Sequence, residues 1–162
     1  MTTLGVLTFN VSKVGGQTED VTLTVTFVGG GSSLDFGRLR NLEEDGKPTS
    51  ESATRQLRLL IQPAQGNNRP YIVTQVFIQE PSHERGGRVS PNSILYRVDE
   101  ETGTGTIRVP SETPFGSGEQ EIYRSAPTGG QSQLLVTFDL MASAEQEAGS
   151  YEGTIEYRVS LI

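Results

Sequence analysis

Apolar residues recur along this chain at every second position rather than every third or fourth. Val21, Leu23, Val25 and Phe27 alternate with Thr22, Thr24 and Thr26, and Ile155, Tyr157, Val159 and Leu161 alternate with Thr154, Glu156, Arg158 and Ser160. Leu134, Val136, Phe138 and Leu140 form a third row, with Thr137 and Asp139 opposite. A period of two sets one face of a strand against a core and the other against water, and β-branched residues suit it. Ile72, Val76 and Ile78 make a fourth row, and Leu57, Leu59 and Ile61 a fifth. Shorter runs at 94–98, 106–109 and 121–124 predict further strands.

Turn chemistry separates the rows. Gly29-Gly30-Gly31-Ser32-Ser33, Gln65-Gly66-Asn67-Asn68-Arg69-Pro70, Glu84-Arg85-Gly86-Gly87, Thr102-Gly103-Thr104-Gly105, Phe115-Gly116-Ser117-Gly118 and Pro127-Thr128-Gly129-Gly130 supply residues that accept or preset turn geometry. The best helix candidates, Ser50 to Leu60 and Ala142 to Ala148, have no convincing apolar stripe and predict a turn or two at most. Asn41 to Ser52 is the most polar stretch and reads as a long surface loop within one domain. Short strands at this spacing predict an all-β fold, an antiparallel sandwich over residues 1–162.

Composition narrows the chemistry. With 162 residues the chain is long enough for one self-sufficient core, yet only 33% of it is hydrophobic and it carries Gly 19 and Pro 8, as a thin sandwich of short strands would. Cys 0 excludes a disulfide framework, a thiol nucleophile and Cys-ligated metal, and His 1 excludes a multi-histidine centre. A net charge of -7 argues against binding nucleic acid or an anionic membrane. No apolar run is long enough for a membrane-spanning helix. Met1-Thr2-Thr3-Leu4-Gly5-Val6 lacks the basic and apolar regions of a secretory signal, which fits a cytoplasmic protein or an exported domain whose signal has been replaced by Met.

Candidate sites are few. His83 lies in a loop, Pro81-Ser82-His83-Glu84-Arg85-Gly86-Gly87, with no Gly-x-Ser-x-Gly elbow to supply a nucleophile, and reads as a solvated histidine. Among the acidic runs Glu43-Glu44-Asp45, Asp99-Glu100-Glu101 and Glu145-Gln146-Glu147, none has the alternating oxygen ligands of a calcium loop; the second, extended by Thr102-Gly103, comes nearest to a weak cation site, and solvated loop charge is the favoured reading of all three. Gly29-Gly30-Gly31 follows a strand but opens no helix, so it predicts a bend rather than a phosphate cradle. Asn10-Val11-Ser12 matches a glycosylation acceptor within a predicted strand. Tyr71, Tyr96, Phe115, Tyr123 and Tyr151 could form a carbohydrate platform, although burial is the default for aromatic residues in strand rows. No cofactor is implied, and an enzyme is not expected.

Three segments in order carry a family resemblance. Residues 19–39 join an alternating strand, a bend and Leu34-Asp35-Phe36-Gly37-Arg38-Leu39; residues 69–76 read Arg69-Pro70-Tyr71-Ile72-Val73-Thr74-Gln75-Val76; and the chain closes with Ala148-Gly149-Ser150-Tyr151-Glu152-Gly153-Thr154-Ile155-Glu156-Tyr157-Arg158-Val159. This order resembles the pilin-type domains of bacterial chaperone–usher systems, particularly the spore coat protein U-like and archaic pilins and the colonisation-factor fimbrial subunits. The resemblance implies an immunoglobulin-like, pilin-like sandwich of Greek-key type that lacks its final strand. It implies a structural or adhesion subunit at the cell surface, whose open groove is filled first by a periplasmic chaperone and then by the N-terminal extension of another copy or a sibling subunit.

Leu4-Gly5-Val6-Leu7-Thr8-Phe9-Asn10-Val11 is the candidate donor strand. Leu7, Phe9 and Val11 share one face and Leu4 and Val6 the other, a pattern suited to a strand buried from two sides. The alternative is an ordinary first strand forming a hairpin with residues 19–28 across Gly15-Gly16, which the preference for short connections favours. Two other functions fit the architecture: a carbohydrate- or ligand-binding module using loops at one end, and a cytoplasmic or virion-associated structural protein.

Overall fold

The computed structural model describes the backbone of residues 2–13, 20–44, 47–49, 52–83, 86–141 and 149–162, and the side chains of 20–36, 54–83, 86–141 and 150–162. The strands are β1 (Thr2–Lys13), β2 (Val21–Phe27), β3 (Ser33–Glu44), β4 (Lys47–Thr49), β5 (Ser52–Pro63), β6 (Tyr71–Ser82), β7 (Ile94–Thr102), β8 (Thr106–Ile107), β9 (Thr113–Pro114), β10 (Gln120–Arg124), β11 (Ser132–Met141) and β12 (Gly149–Leu161), with one 3-10 turn at Pro91–Ser93. They form an immunoglobulin-like sandwich of two sheets, in the orders β4-β3-β1-β12-β6-β10-β8 and β2-β5-β11-β7-β9. Every pairing is antiparallel except that of β1 with β12.

The five-stranded sheet follows directly from the apolar rows. Val136 of β11 stands opposite Leu57 of β5 on one side and Val98 of β7 on the other, and all three are buried. Leu59, Ile61, Leu134, Phe138 and Ile94 extend the same inner face. The other sheet answers with Ile155, Tyr157 and Val159 of β12 and Tyr71, Val73 and Phe77 of β6. Phe115 packs between the sheets, 4.2 Å from the ring of Phe77 and 5.4 Å from that of Tyr96.

Three local expectations are corrected. The helix candidate over Ser50 to Leu60 falls largely in β5, because its alternate leucines pair between β2 and β11; the candidate at Ala142 to Ala148 lies outside the described residues. The polar stretch from Asn41 to Ser52 is not one long loop. β3 runs on to Glu44 and pairs back with β4 through Leu42↔Thr49 and Glu44↔Lys47, a hairpin at the sheet edge where pairing needs no apolar face. On β6 the predicted row is the wrong face: Tyr71, Val73, Gln75 and Phe77 are buried, whereas Ile78 is 53% exposed. The inner row holds a glutamine, which breaks its apolar signal, while the outer face carries Ile72, Val76 and Ile78.

The burial difference predicts a stability difference. Leu59→Ala removes a side chain that is 0% exposed and destabilises the fold by about 2–5 kcal/mol. Ile78→Ala, on the outer face of β6, changes it by less than about 0.5 kcal/mol. Urea midpoints of the two variants check the inner and outer assignments of these strands.

Candidate functional site: the first strand and its slot

β1 occupies an interior position in the larger sheet although it is the first strand of the chain. It runs parallel to β12 from Gly5↔Gly149 to Lys13↔Tyr157, and antiparallel to β3 from Thr2↔Asn41 to Asn10↔Ser33. β2 meanwhile pairs with β5 in the other sheet. The hairpin between β1 and residues 19–28 is therefore not formed: residues 14–20 join strands in different sheets.

The candidate donor residues fall on one continuous stretch of this strand. Val6 stands opposite Ser150 and Arg38, and Phe9 opposite Gly153 and Leu34. Leu7 and Val11 are in register with Tyr151 and Ile155 of β12, both buried. Gly5 lies between Gly149 and Leu39. Register shifts against β3 between Thr3 and Gly5 and between Val6 and Thr8 leave Leu4 and Leu7 at irregular points of that ladder. The side chains of these six residues lie outside the described ones, so their assignment here is one of backbone register.

Polar side chains inside the sandwich tie the two sheets together at one end. The Tyr71 hydroxyl donates to Gly130 O at 2.9 Å and is 2.9 Å from Ser132 Oγ, and the Tyr123 hydroxyl lies 2.7 Å from both Ser132 Oγ and Glu100 Oε1. Tyr71 and Tyr123 belong to the larger sheet, Ser132 and Glu100 to the smaller. Gly103-Thr104-Gly105 makes room for this cluster: a Cβ at Gly105 would meet the Tyr123 hydroxyl at 2.2 Å and Arg124 O at 2.4 Å. Burial pushes the Tyr123 pKa well up, and the neighbouring Glu100 carboxylate adds to the rise. Burial likewise raises those of Tyr71, Tyr96 and Tyr157.

A second polar group lies at mid-core. Gln75 faces Gln120 of β10 and Tyr157 of β12 across the sheet. The Tyr96 hydroxyl donates to Gln120 Oε1 at 2.5 Å, and Gln120 Nε2 donates to Phe115 O at 2.6 Å. Both amide atoms of Gln75 and the Tyr157 hydroxyl are buried without a hydrogen-bond partner among the described residues. A buried polar atom that stays without a partner costs about 1–3 kcal/mol.

The remaining sequence candidates resolve into structural roles. His83 is half-buried rather than free in solvent, with its ring edge-on to Tyr151 at 4.8 Å and pressed under Gly87. In Asp99-Glu100-Glu101 the strand sends alternate carboxylates to opposite faces: Glu100 turns in to Tyr123, and Glu101 pairs with Arg58 at 2.8 Å and with Gln133. They cannot converge on one cation, and no group of three His, Asp or Glu suited to a metal occurs among the described residues. Tyr71, Tyr96, Phe115, Tyr123 and Tyr151 are all buried, so they form no exposed sugar platform. The signal that sequence reasoning missed is Gln75, a polar residue in an otherwise apolar inner row. The chain matches no protein-family model and no curated protein sequence.

The tyrosines make the fold sensitive to alkali. A tyrosine is neutral when protonated, so a folded pKa above the unfolded value of about 10 means that the native chain holds the proton more tightly. The stability is complete below that pH and is lost as pH rises through the folded values, by up to about 1.4 kcal/mol per pH unit for each such tyrosine. Absorbance at 295 nm should therefore show Tyr71, Tyr96, Tyr123 and Tyr157 ionising together with unfolding, and Tyr123→Phe should flatten the loss. Reversible ionisation of all four in the folded chain near pH 10 would contradict this arrangement.

Proposed function

We propose that this chain is a non-enzymatic structural subunit that assembles by β-strand complementation, with β1 closing either its own sandwich or that of a neighbouring copy. The position of β1 supports this reading. β1 lies inside the sheet, flanked by β3 and β12, where an extended segment can add between two strand edges. Its departure leaves two unpaired strand edges facing one slot, which an extended segment of the same sequence fills with the same main-chain hydrogen bonds. Leu4, Gly5, Val6, Leu7, Phe9 and Val11 are the residues that carry the exchange.

This is the pilin-like reading that the order of segments 19–39, 69–76 and 148–159 implies. It brings with it a role in surface assembly or adhesion, partners that are copies of this chain or sibling subunits, and a periplasmic chaperone to occupy the slot before assembly. The side-chain chemistry is consistent with work done through sheet edges. Glu100, Ser132, Tyr71 and Tyr123 join the two sheets, and Glu121 binds Arg108 and Arg124 at 3.0 and 2.9 Å.

A truncated chain of residues 14–162 tests the proposal. It should lose stability or self-associate, and a synthetic peptide of residues 2–13 added in trans should restore a stable monomer with the peptide bound. A truncated chain that is a soluble monomer as stable as the whole, with no affinity for the peptide, would overturn it. Calorimetry and size-exclusion chromatography with light scattering give the two readouts.

A further inference from the structure

We infer that a cleft beside the end of β2 is a carboxylate-binding site, with the Arg55 guanidinium as its anchor. The cleft lies where the chain crosses from β2 in the smaller sheet to β3 in the larger. It holds about 240 Å³ among Phe27, Val28, Ser33, Leu34 and Arg55, together with Gly29 and Gly30. Arg55 is fixed there but not neutralised. Its Nε donates to Asp35 O, its Nη1 donates to Thr54 O at 2.7 Å, and its Cζ lies 5.9 Å from the centre of the Phe36 ring. Nη2 donates to no group among the described residues, and no carboxylate among them forms an ion pair with this side chain. Arg58, Arg97, Arg108, Arg124 and Arg158, in contrast, all have carboxylate partners. Asp35 does not supply one for Arg55. It is exposed between buried Leu34 and Phe36, so its side chain stands on the other face of β3 while its carbonyl turns to Arg55.

The chemistry of the cleft selects its occupant. A guanidinium held by two carbonyls and an aromatic ring presents its remaining N–H groups as a planar fork, which matches a carboxylate. One cation flanked by two carbonyl oxygens, in a chain of net charge -7, balances a monoanion and disfavours a phosphate dianion. The walls are apolar: Leu34 is buried, Phe27 is partly buried against the core and Val28 is 40% exposed. The acid therefore carries an apolar group, and Ser33 adds a hydroxyl to the lining. Gly29 and Gly30 have φ of 92° and 89°, which side chains of L residues rarely adopt, so the turn borders the cleft with backbone alone. The volume is below the range of about 300–1,000 Å³ usual for drug-sized ligands, so the occupant is small. A short branched aliphatic acid and the C-terminal residue of a peptide both present this carboxylate on an apolar stem. The site uses no residue of β1, and so stands or falls separately from strand exchange.

Nuclear magnetic resonance titration of the isotope-labelled full-length chain with isovalerate, N-acetylvaline and N-acetylvalinamide tests the site. Isovalerate or N-acetylvaline should shift the Arg55 Nε–H signal and the Gly29 and Gly30 amide signals to saturation, and the uncharged amide should move none of them. Tighter binding of N-acetylvaline assigns the site to a peptide terminus, and tighter binding of isovalerate assigns it to a free acid. Arg55→Gln should weaken binding about tenfold or more, as loss of a charge-assisted hydrogen bond does. Arg58→Gln, which removes an exposed arginine paired with Glu101, should leave it unchanged. Because R55Q also loses the bond from β5 to β3, Val28→Asp gives a second variant at an exposed position. Charge repulsion in V28D should weaken binding about tenfold with the urea midpoint unchanged. No saturable shift with either acid, equal binding of the amide, or R55Q and V28D binding as the native chain does overturns the inference.

Discussion

The slot between β3 and β12 is the constraint on which the rest of this sandwich depends. Both strands turn an edge toward it, and both are held there by one segment from the start of the chain. β12 in turn carries β6, and β6 carries β10, so the larger sheet is continuous only while β1 is in place. A central gap in a sheet exposes two rows of backbone donors and acceptors together, a greater liability than an ordinary edge. The filler is one contiguous segment with apolar residues at alternate positions of both faces, and under the proposed reading an identical segment from a neighbouring copy takes its place.

The interior holds the two sheets together through side chains that do not belong to β1. Tyr71 and Tyr123 reach from β6 and β10 to Ser132 and Glu100 of the opposite sheet, with the Thr102-Gly103-Thr104-Gly105 turn folded close over them. Leu57, Val136 and Val98 supply the apolar counterpart across the smaller sheet. At mid-core Gln75 and Tyr157 bury polar atoms that have no hydrogen-bond partner among the described residues. Tyr157 is in register with Lys13, the last residue of β1.

Much of the fold was legible in the sequence because its clearest rows are half-buried strands. β2, β5, β11 and β12 alternate cleanly, and their inner residues are the ones the alternation marks. β6 was legible as a strand but not in its facing, since Gln75 interrupts the inner row and isoleucines decorate the outer one. The β3–β4 hairpin was hidden because an edge hairpin needs no apolar face. Residues 4–11 were legible as a strand from their apolar pattern, but their partners were not: pairing with β12 joins residues separated by almost the whole chain, and local pattern says nothing about such a distance. The acidic run at Asp99-Glu100-Glu101 resembled a ligand cluster only while its residues were read in line; a strand turns alternate members apart.

Thiol cross-linking across the β1–β12 ladder tests the central claim most directly. Thr8 and Glu152 are neighbours in the parallel register, and the native chain has no cysteine to compete. Chains carrying only Thr8→Cys and chains carrying only Glu152→Cys are unfolded together, refolded at high concentration and oxidised. The account predicts a covalent dimer joining the two kinds of chain, because β1 of one copy enters the slot of the other. Only monomers from that mixture, with the T8C/E152C double variant closing its disulfide within one chain at every concentration, would contradict it.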